Sequence, residues 1–236
     1  MKRFYKEVIV KKPDDEGNGG RFRILLDGKP VRTPGGNFLA IPGRALAERI
    51  ASEWRDQKDE IEAVSMPMLR MANIALDGIS ANRQAVVDAI TRFGEHDLIC
   101  YRAEQPLELA ALQEQSWSPM LDWAAAAHGA RLAAGAGLVH IPQPPEALIA
   151  LRRSVEERDD FALAALHVMA SVTGSLVLAL ALAEGELGPA QAFQMSRIDE
   201  DYQAGKWGID AQAEARARVL AREIDMASVF IAASRH

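Results

Sequence analysis

The sequence is poor in the residues that form covalent or metal-held frameworks. It has one cysteine, Cys100, in 236 residues, which excludes an internal disulfide and fits a reducing compartment. None of the five histidines is spaced from another histidine or from the cysteine as metal ligands are. The sequence has no Walker element, no G-x-S-x-G element and no glycine cluster that leads directly into a helix. We therefore expect neither a metal site nor a bound cofactor.

The distribution of charge excludes further classes of protein. The net charge is −6 and the pI is about 5.5, and the lysines and arginines are spread along the chain, so a nucleic-acid interface is not expected. The first ten residues, M-K-R-F-Y-K-E-V-I-V, alternate like a strand and resemble no targeting segment. We expect a soluble protein of the bacterial cytoplasm, or of the mitochondrial matrix if the source is eukaryotic.

One apolar run has the length of a membrane span. Residues 161–183 contain no Asp, Glu, Lys or Arg. Acids flank both ends without a basic bias, and S-V-T-G-S at residues 171–175 indicates a break and a new helix with Thr173 or Ser171 as its N-cap. We interpret the run as two short buried helices and expect no stable membrane insertion. The alternative is a factor associated with the inner membrane.

The spacing of apolar residues predicts an α+β protein of two domains. Strands are predicted at residues 4–10, 21–26, 29–33 and 38–41, with a polar turn at 13–20 and a two-residue hairpin turn at Asp27 and Gly28. Residues 44–57 carry Leu46, Ile50 and Trp54 at intervals of four, which predicts a helix that covers one face of the sheet. This small N-terminal β-sheet domain is assigned to residues 1–65.

Residues 66–236 are predicted to form a larger all-α C-terminal domain. Its predicted helices span residues 68–79, 82–93, 107–128, 145–157, 160–170, 174–183, 189–201 and 210–234. Residues 131–142 interrupt this pattern as a short extended excursion.

One cluster of residues has side chains that could act as catalytic groups. Glu95, His96 and Asp97 precede Cys100, and on a helix His96 and Cys100 would share a face, so that a thiol and an imidazole could meet. This predicts an enzyme of unknown reaction that uses an interdomain cleft, with an accessible Cys100 thiol of depressed pKa. The simpler interpretation is a small buried cysteine that follows the end of a helix.

Seven segments, in order along the chain, resemble one known family. They are R-F-Y-K-E-V at residues 3–8, L-D-G-K-P-V-R-T-P at 26–34, A-S-E-W at 51–54, D-L-I-C-Y-R-A at 97–103, W-S-P-M-L-D-W at 117–123, T-G-S-L-V-L-A-L-A-L at 173–182 and D-E-D-Y-Q-A-G-K-W-G at 199–208. Together they resemble the assembly chaperones for the soluble catalytic head (F1) of the F-type ATP synthase, those that act on its alpha subunit.

The resemblance implies a non-enzymatic protein whose partner is the ATP synthase alpha subunit. Such a chaperone holds the free alpha subunit and masks its inter-subunit surface until beta subunits replace it. It also implies a small α+β domain joined to a helical domain. The role is physically coherent, because an isolated ring subunit exposes apolar patches, and covering them requires area rather than catalysis. We expect a monomer.

The acidic segment at residues 199–210 supplies the candidate partner-binding residues. These are Asp199, Glu200, Asp201, Tyr202 and Trp207. The resemblance makes the acids around Glu200 the best candidates for contact with the partner. Three successive helical positions spread over about 200° around the axis, so the three carboxylates cannot all face one way. The alternative is a solvated helix end with no partner.

The same segment is predicted to close a helix. At a helix C-terminus each carboxylate would oppose the macrodipole at a cost of about 0.3–1 kcal/mol, which hints at a use outside stability. Trp207 is predicted to pack beneath and anchor the following loop, where Gly205 and Gly208 permit the turn.

Overall fold

The computed structural model describes residues 1–12, 20–137, 139–208 and 210–235. Its strands are β1 (Val8–Lys11), β2 (Phe22–Leu26), β3 (Lys29–Pro30), β4 (Ala40–Ile41), β5 (Tyr101–Arg102) and β6 (Gly135–Ala136). Its α-helices are α1 (Arg44–Arg55), α2 (Pro67–Asn73), α3 (Ser80–Glu95), α4 (Leu107–His128), α5 (Pro145–Glu156), α6 (Asp160–Thr173), α7 (Leu176–Glu184), α8 (Pro189–Ser196), α9 (Ile198–Trp207) and α10 (Ala211–Ser234). Two 3₁₀ turns (Ala63–Ser65 and Leu98–Cys100) and a π-helical stretch (Ile74–Ile79) complete the described elements.

The N-terminal sheet is antiparallel and is built around β2. Strand β1 pairs with one side of β2, while β3 and β4 pair with the other. The predicted hairpin turn between β2 and β3 is confirmed, because Asp27 and Gly28 both have positive φ, 47° and 78°, as a type I′ turn requires. The predicted strand at 4–10 begins later, at Val8. The polar turn predicted at 13–20 falls almost entirely outside the described residues.

Helix α1 lies on the inner face of this sheet, as predicted. Leu46, Ile50 and Trp54 are buried on one stripe of the helix, and Ile24 and Leu26 are buried on β2. The fold class predicted from the sequence, a small sheet domain with one covering helix followed by a mostly helical chain, is confirmed.

Contacts group the chain into two compact units. The first comprises residues 1–83, 159–165 and 229–236, and the second comprises residues 84–158 and 166–228. The domain boundary predicted at residues 65 and 66 lies within the first unit and stays a prediction.

The apolar run at 161–183 forms two helices, as predicted. Gly174 has a φ of 65° and separates α6 from α7. The N-cap of α7 is Ser175, whose side chain accepts a hydrogen bond from the Leu178 backbone N–H at 3.0 Å, so the predicted caps Thr173 and Ser171 are wrong. Thr173 instead closes α6, where its hydroxyl donates to the Met169 carbonyl. Among the described residues, no helix combines the length and apolarity that crossing a membrane requires.

Two further predictions concern the second unit, and the first of them is wrong. The helix predicted at 189–201 is two helices, α8 and α9, because Arg197 leaves helical geometry with φ −121° and ψ 16°. The extended excursion predicted at 131–142 contains β6, which pairs in parallel with β5.

Candidate partner-binding site

The acidic residues of the candidate site lie at the beginning of α9, and not at the end of a helix as predicted. Asp199, Glu200 and Asp201 occupy its first turn, directly after the break at Arg197. Free backbone N–H groups and the positive end of the macrodipole therefore face these carboxylates, and the interaction is favourable by about 0.3–1 kcal/mol each. The prediction that the helix dipole opposes these acids is wrong, because the break between α8 and α9 was not anticipated.

Asp199 is turned toward the protein. Its carboxylate accepts a hydrogen bond from Gln113 Nε2 at 2.5 Å, and Asp199 is half-buried. Gln113 lies on α4 with 1% of its surface exposed, and its Oε1 accepts a hydrogen bond from the Ala103 backbone N–H at 2.7 Å. One buried amide thus ties the beginning of α9 to α4 and to the segment before α4.

A second link between α9 and α4 lies nearer the surface. The Tyr202 hydroxyl donates to Glu108 Oε2 at 3.0 Å, and Lys206 Nζ lies 3.3 Å from the same oxygen. Hydrogen bonds from Tyr202 and Lys206 lower the pKa of Glu108, and the Glu108 carboxylate raises the pKa of Lys206. Asp199, Tyr202 and Lys206 therefore form the side of α9 that faces α4.

Glu200 and Trp207 lie on a different side of α9. They are seven residues apart, so the two side chains point within about 20° of each other and are separated by about 10.5 Å along the axis. Both are exposed, and 80% of the surface of Trp207 is accessible. Within the described residues Glu200 makes no side-chain hydrogen bond or ion pair. We call Glu200 and Trp207 the outer face of α9.

The predicted anchoring role of Trp207 is wrong, because its indole is exposed and does not pack beneath the loop. Gly205 lies within α9, and Gly208 alone of the two glycines takes a positive φ, 95°, as the residue that ends the helix. The third acid, Asp201, is exposed, and its carboxylate lies 3.6 Å from Arg197 Nε.

The two residues on α4 that hold α9, Gln113 and Glu108, were not predicted from the sequence. Gln113 had a detectable signal, because it occupies the buried stripe of α4 at a four-residue interval from both Leu109 and Trp117. A glutamine on an apolar stripe needs hydrogen-bond partners in the core. The Trp117 indole likewise donates to the Met195 carbonyl at 2.9 Å, which joins α4 to α8. Glu108 carried no such signal.

The alternative site around Cys100 does not have the chemistry predicted for it. Cys100 is fully buried, and burial, together with the nearby Asp97 carboxylate, raises its thiol pKa to about 12. The expectation of an accessible thiol of depressed pKa is therefore wrong. His96 is exposed, and its ring lies 4.7 Å from that of His140, centroid to centroid. In the described parts of the chain no group of three or more His, Cys, Asp or Glu side chains is arranged to hold a metal ion.

The role of Asp97 is structural and not catalytic. Its carboxylate is fully buried and accepts hydrogen bonds from the backbone N–H groups of Ile99, at 3.3 Å, and Val177, at 3.1 Å. It thereby caps the 3₁₀ turn that contains Cys100 and the beginning of α7. Burial outweighs these hydrogen bonds and raises the pKa of Asp97 to about 6.

Comparison with known proteins gives a consistent family. A family model described as ATP12 chaperone protein matches residues 2–125. The mitochondrial protein atp12 of Schizosaccharomyces pombe is 24% identical over 221 residues, which cover 88% of this chain and 74% of that protein.

Two solved structures resemble the whole chain. Atp12 from Paracoccus denitrificans is 37% identical, with a TM-score of 0.94 over 99% of this chain and 98% of that one. The Atu1473 protein of Agrobacterium tumefaciens is 44% identical, with a TM-score of 0.91 over 100% of this chain and 86% of that one.

Proposed function

The chain belongs to the ATP12 family of ATP synthase assembly chaperones, and we propose that it binds the free alpha subunit of the F-type ATP synthase. In this proposal it covers the alpha-subunit surface that later contacts beta subunits, and it leaves when beta subunits take its place. It acts by binding and not by catalysis. The burial of Cys100 and the raised pKa of its thiol argue against the enzymatic alternative that the sequence offered.

The observation that carries the proposed site is the outer face of α9. Asp199, Tyr202 and Lys206 are used within the protein, whereas Glu200 and Trp207 are presented to solvent together on one side of the helix. A mostly exposed tryptophan is unusual unless it serves an interface, where tryptophan is strongly enriched among the residues that dominate binding. A carboxylate two turns away adds charge selectivity to that apolar contact.

The position of the acids in the first turn of α9 bears on which of them contacts the alpha subunit. Because the macrodipole stabilises all three carboxylates, their presence alone does not demand a partner. What distinguishes Glu200 is that it lacks the intramolecular contacts made by Asp199 and Asp201. We therefore propose Glu200 as the acid that contacts the alpha subunit, with Trp207 as its apolar neighbour.

The proposal is tested on isolated alpha subunit that refolds from denaturant. Light scattering should fall when this chain is present at about an equimolar ratio, because a one-to-one cap covers the aggregating surface. Addition of beta subunit should then displace the chain from the alpha subunit on a gel-filtration column. Unchanged scattering, together with no co-elution of the two proteins, would contradict the proposed client.

A bacterial cytoplasm, or the mitochondrial matrix in a eukaryote, remains our proposal for where the chain works. Relatives from Paracoccus and Agrobacterium, and the mitochondrial protein of Schizosaccharomyces pombe, support these two locations.

A further inference from the structure

We propose that the first compact unit carries a second docking site, a cleft that binds an extended segment of a partner protein with aliphatic and acidic side chains. The cleft has a volume of about 390 Å³ and is lined by Met1, Phe4 and Tyr5, by the β2–β3 hairpin with the residues that follow it, and by Trp54 of α1. We call it the N-terminal cleft. This proposal does not rest on the function proposed for α9.

The floor of the N-terminal cleft is a fixed aromatic stack. The Tyr5 ring meets the Trp54 ring edge-on at 5.5 Å between centroids, and the Tyr5 hydroxyl donates to the Trp54 carbonyl at 2.6 Å. Phe4 extends the stack, edge-on to Tyr5 at 5.4 Å. The buried part of this stack therefore provides a preformed surface, and binding to it requires little ordering of the protein.

The walls of the cleft leave apolar surface in water. Phe4 is 64% exposed and Met1 is 73% exposed, and both line the cleft. Sites for small molecules enclose their ligand, whereas exposed apolar side chains beside an open cleft are typical of contact with another protein. An aliphatic side chain laid between Met1 and Phe4 would remove this surface from water.

A buried donor in the lining of the cleft lacks an acceptor. Trp54 is 8% exposed, and its indole Nε1–H has no hydrogen-bond partner in the described part of the chain. A buried N–H group is almost always paired, so an acceptor that reached this N–H, which is closed to solvent in the free protein, would satisfy it. The carbonyl groups of an extended peptide, or a carboxylate, are acceptors of the required kind.

The charge at the rim selects acidic side chains. Lys29 and Arg32 line the cleft, and the Arg32 guanidinium is held in place by the Gly36 carbonyl at 2.6 Å and by the Phe38 ring at 4.1 Å. The acid among the described lining residues, Asp27, already accepts hydrogen bonds from the backbone N–H groups of Lys6 and Glu7, and these bonds lower its pKa. The rim thus offers cations to a partner, while its carboxylate is used internally.

A protein segment fits these features better than a nucleic acid does. Single-stranded nucleic acids bind by stacking bases on open aromatic faces. Here the Phe38 ring near the rim carries the Arg32 and Arg23 guanidinium groups, and Tyr5 and Trp54 are buried edge-on to one another. Of the aromatic rings at the cleft only Phe4 is largely exposed, and a single open ring beside the flexible Met1 side chain suits an aliphatic side chain better than a run of stacked bases.

The test follows the Trp54 indole N–H signal by two-dimensional ¹⁵N NMR of the whole chain, with a Trp54→Phe variant to assign it. The probes are the peptide acetyl-Ser-Asp-Leu-Glu-Leu-Asp-Ser-amide, the same peptide with lysine at every acidic position, and a short oligothymidylate. We expect the acidic peptide to shift the Trp54 signal saturably, with a Kd of about 1 mM or tighter. Lys29→Glu should weaken this binding about fivefold, as expected for the loss of an exposed charge pair.

Lys58→Glu is the matched control, because Lys58 is an exposed lysine of the same unit and lies outside the cleft. It changes the net charge equally and should leave the affinity unchanged. The proposal is overturned if the acidic peptide leaves the Trp54 signal unmoved, if the lysine peptide binds as well as the acidic one, or if the oligothymidylate shifts the signal as strongly. Equal weakening by Lys29→Glu and Lys58→Glu would also overturn it, since it would show a response to net charge alone.

Discussion

Gln113 and Asp199 are joined by a hydrogen bond of 2.5 Å across 86 residues of sequence. The amide lies in the core of the second unit, and the carboxylate lies in the first turn of α9. Through this bond Asp199 holds the beginning of α9 against α4. Its neighbour Glu200 makes no such bond in the described part of the chain.

Removal of Asp199 should therefore reduce stability. Asp199→Ala leaves the Gln113 Nε2–H donor buried without its acceptor, and we expect a loss of about 1–3 kcal/mol in the free energy of unfolding. Urea denaturation followed by circular dichroism measures this loss. Glu200→Ala is the control, because it also removes a first-turn carboxylate but no buried hydrogen bond, and it should reduce stability by less than about 1 kcal/mol. Equal stability of the two variants would show that the Gln113–Asp199 bond carries no net free energy.

Glu200→Lys should weaken binding to the alpha subunit and lower the melting temperature only slightly, through the loss of its dipole interaction. The side chain is exposed and has no intramolecular partner in the described residues, so apart from its interaction with the helix dipole, reversal of its charge acts on the partner and not on the fold. For one reversed charge at an interface we expect a decrease in affinity of about tenfold, or about 1.4 kcal/mol. Isothermal titration with isolated alpha subunit measures it.

Glu146→Lys provides the matched control for that experiment. Glu146 is an exposed glutamate in the first turn of α5, as Glu200 is in the first turn of α9, so both variants lose the same favourable dipole interaction. If Glu146→Lys weakens binding as much as Glu200→Lys does, the effect comes from net charge and not from the outer face of α9. A large drop in melting temperature for Glu200→Lys alone would instead make Glu200 structural.

Trp54, predicted to be structural, and Trp207, predicted both to bind the partner and to anchor a loop, should respond differently to substitution. Trp54 is 8% exposed and packs on Tyr5, so Trp54→Ala should cost about 3–5 kcal/mol in the free energy of unfolding. Trp207 is 80% exposed, so Trp207→Ala should change stability by less than about 0.5 kcal/mol while it weakens binding of the alpha subunit. Chemical denaturation and titration of both variants separate the two roles. Unimpaired binding by Trp207→Ala would remove the tryptophan from the proposed interface.

The contrast between these tryptophans shows what the sequence could and could not predict. Trp54 continues a stripe of Leu46 and Ile50 at four-residue intervals, and such periodicity predicts burial on a single helix. Trp207 has no such stripe around it, and its exposure depends on where α9 begins. Helix α9 begins where the backbone angles change at Arg197, and no glycine or proline marks this position in the sequence.

The sequence singled out the candidate residues of the site but could not give their geometry. The segment 199–208 stood out by its acids and by the family resemblance, yet the direction of each side chain depends on the hydrogen bonds from Gln113 and Glu108. These partners lie about ninety residues earlier in the chain, and long-range pairing of this kind leaves no local pattern. The prediction of a reactive thiol is wrong for a related reason. The burial of Cys100 depends on tertiary packing, which the local sequence does not show.

The buried carboxyl group of Asp97 should make stability depend on pH in a defined window. Burial raises its pKa in the folded protein to about 6, while an unfolded Asp titrates near about 3.9. Between these values the folded state binds more protons than the unfolded state, so this contribution falls as the pH rises from about 4 to about 6 and is constant above that. The full change is on the order of 3 kcal/mol, at 1.36 kcal/mol per pKa unit.

Comparison with Asp97→Asn isolates this contribution from those of other carboxyl groups. At about pH 4 the variant should be the less stable protein, because the NH2 group of asparagine cannot accept one of the two hydrogen bonds that the Ile99 and Val177 backbone N–H groups donate to Asp97. The difference in unfolding free energy between wild type and variant should shrink as the pH rises from about 4 to about 6, and then level off. Urea denaturation at a series of pH values measures this difference. A difference that grows with pH over the same window would mean that the folded protein lowers the pKa of Asp97, and that the hydrogen bonds at the beginning of α7 outweigh the burial of the charge.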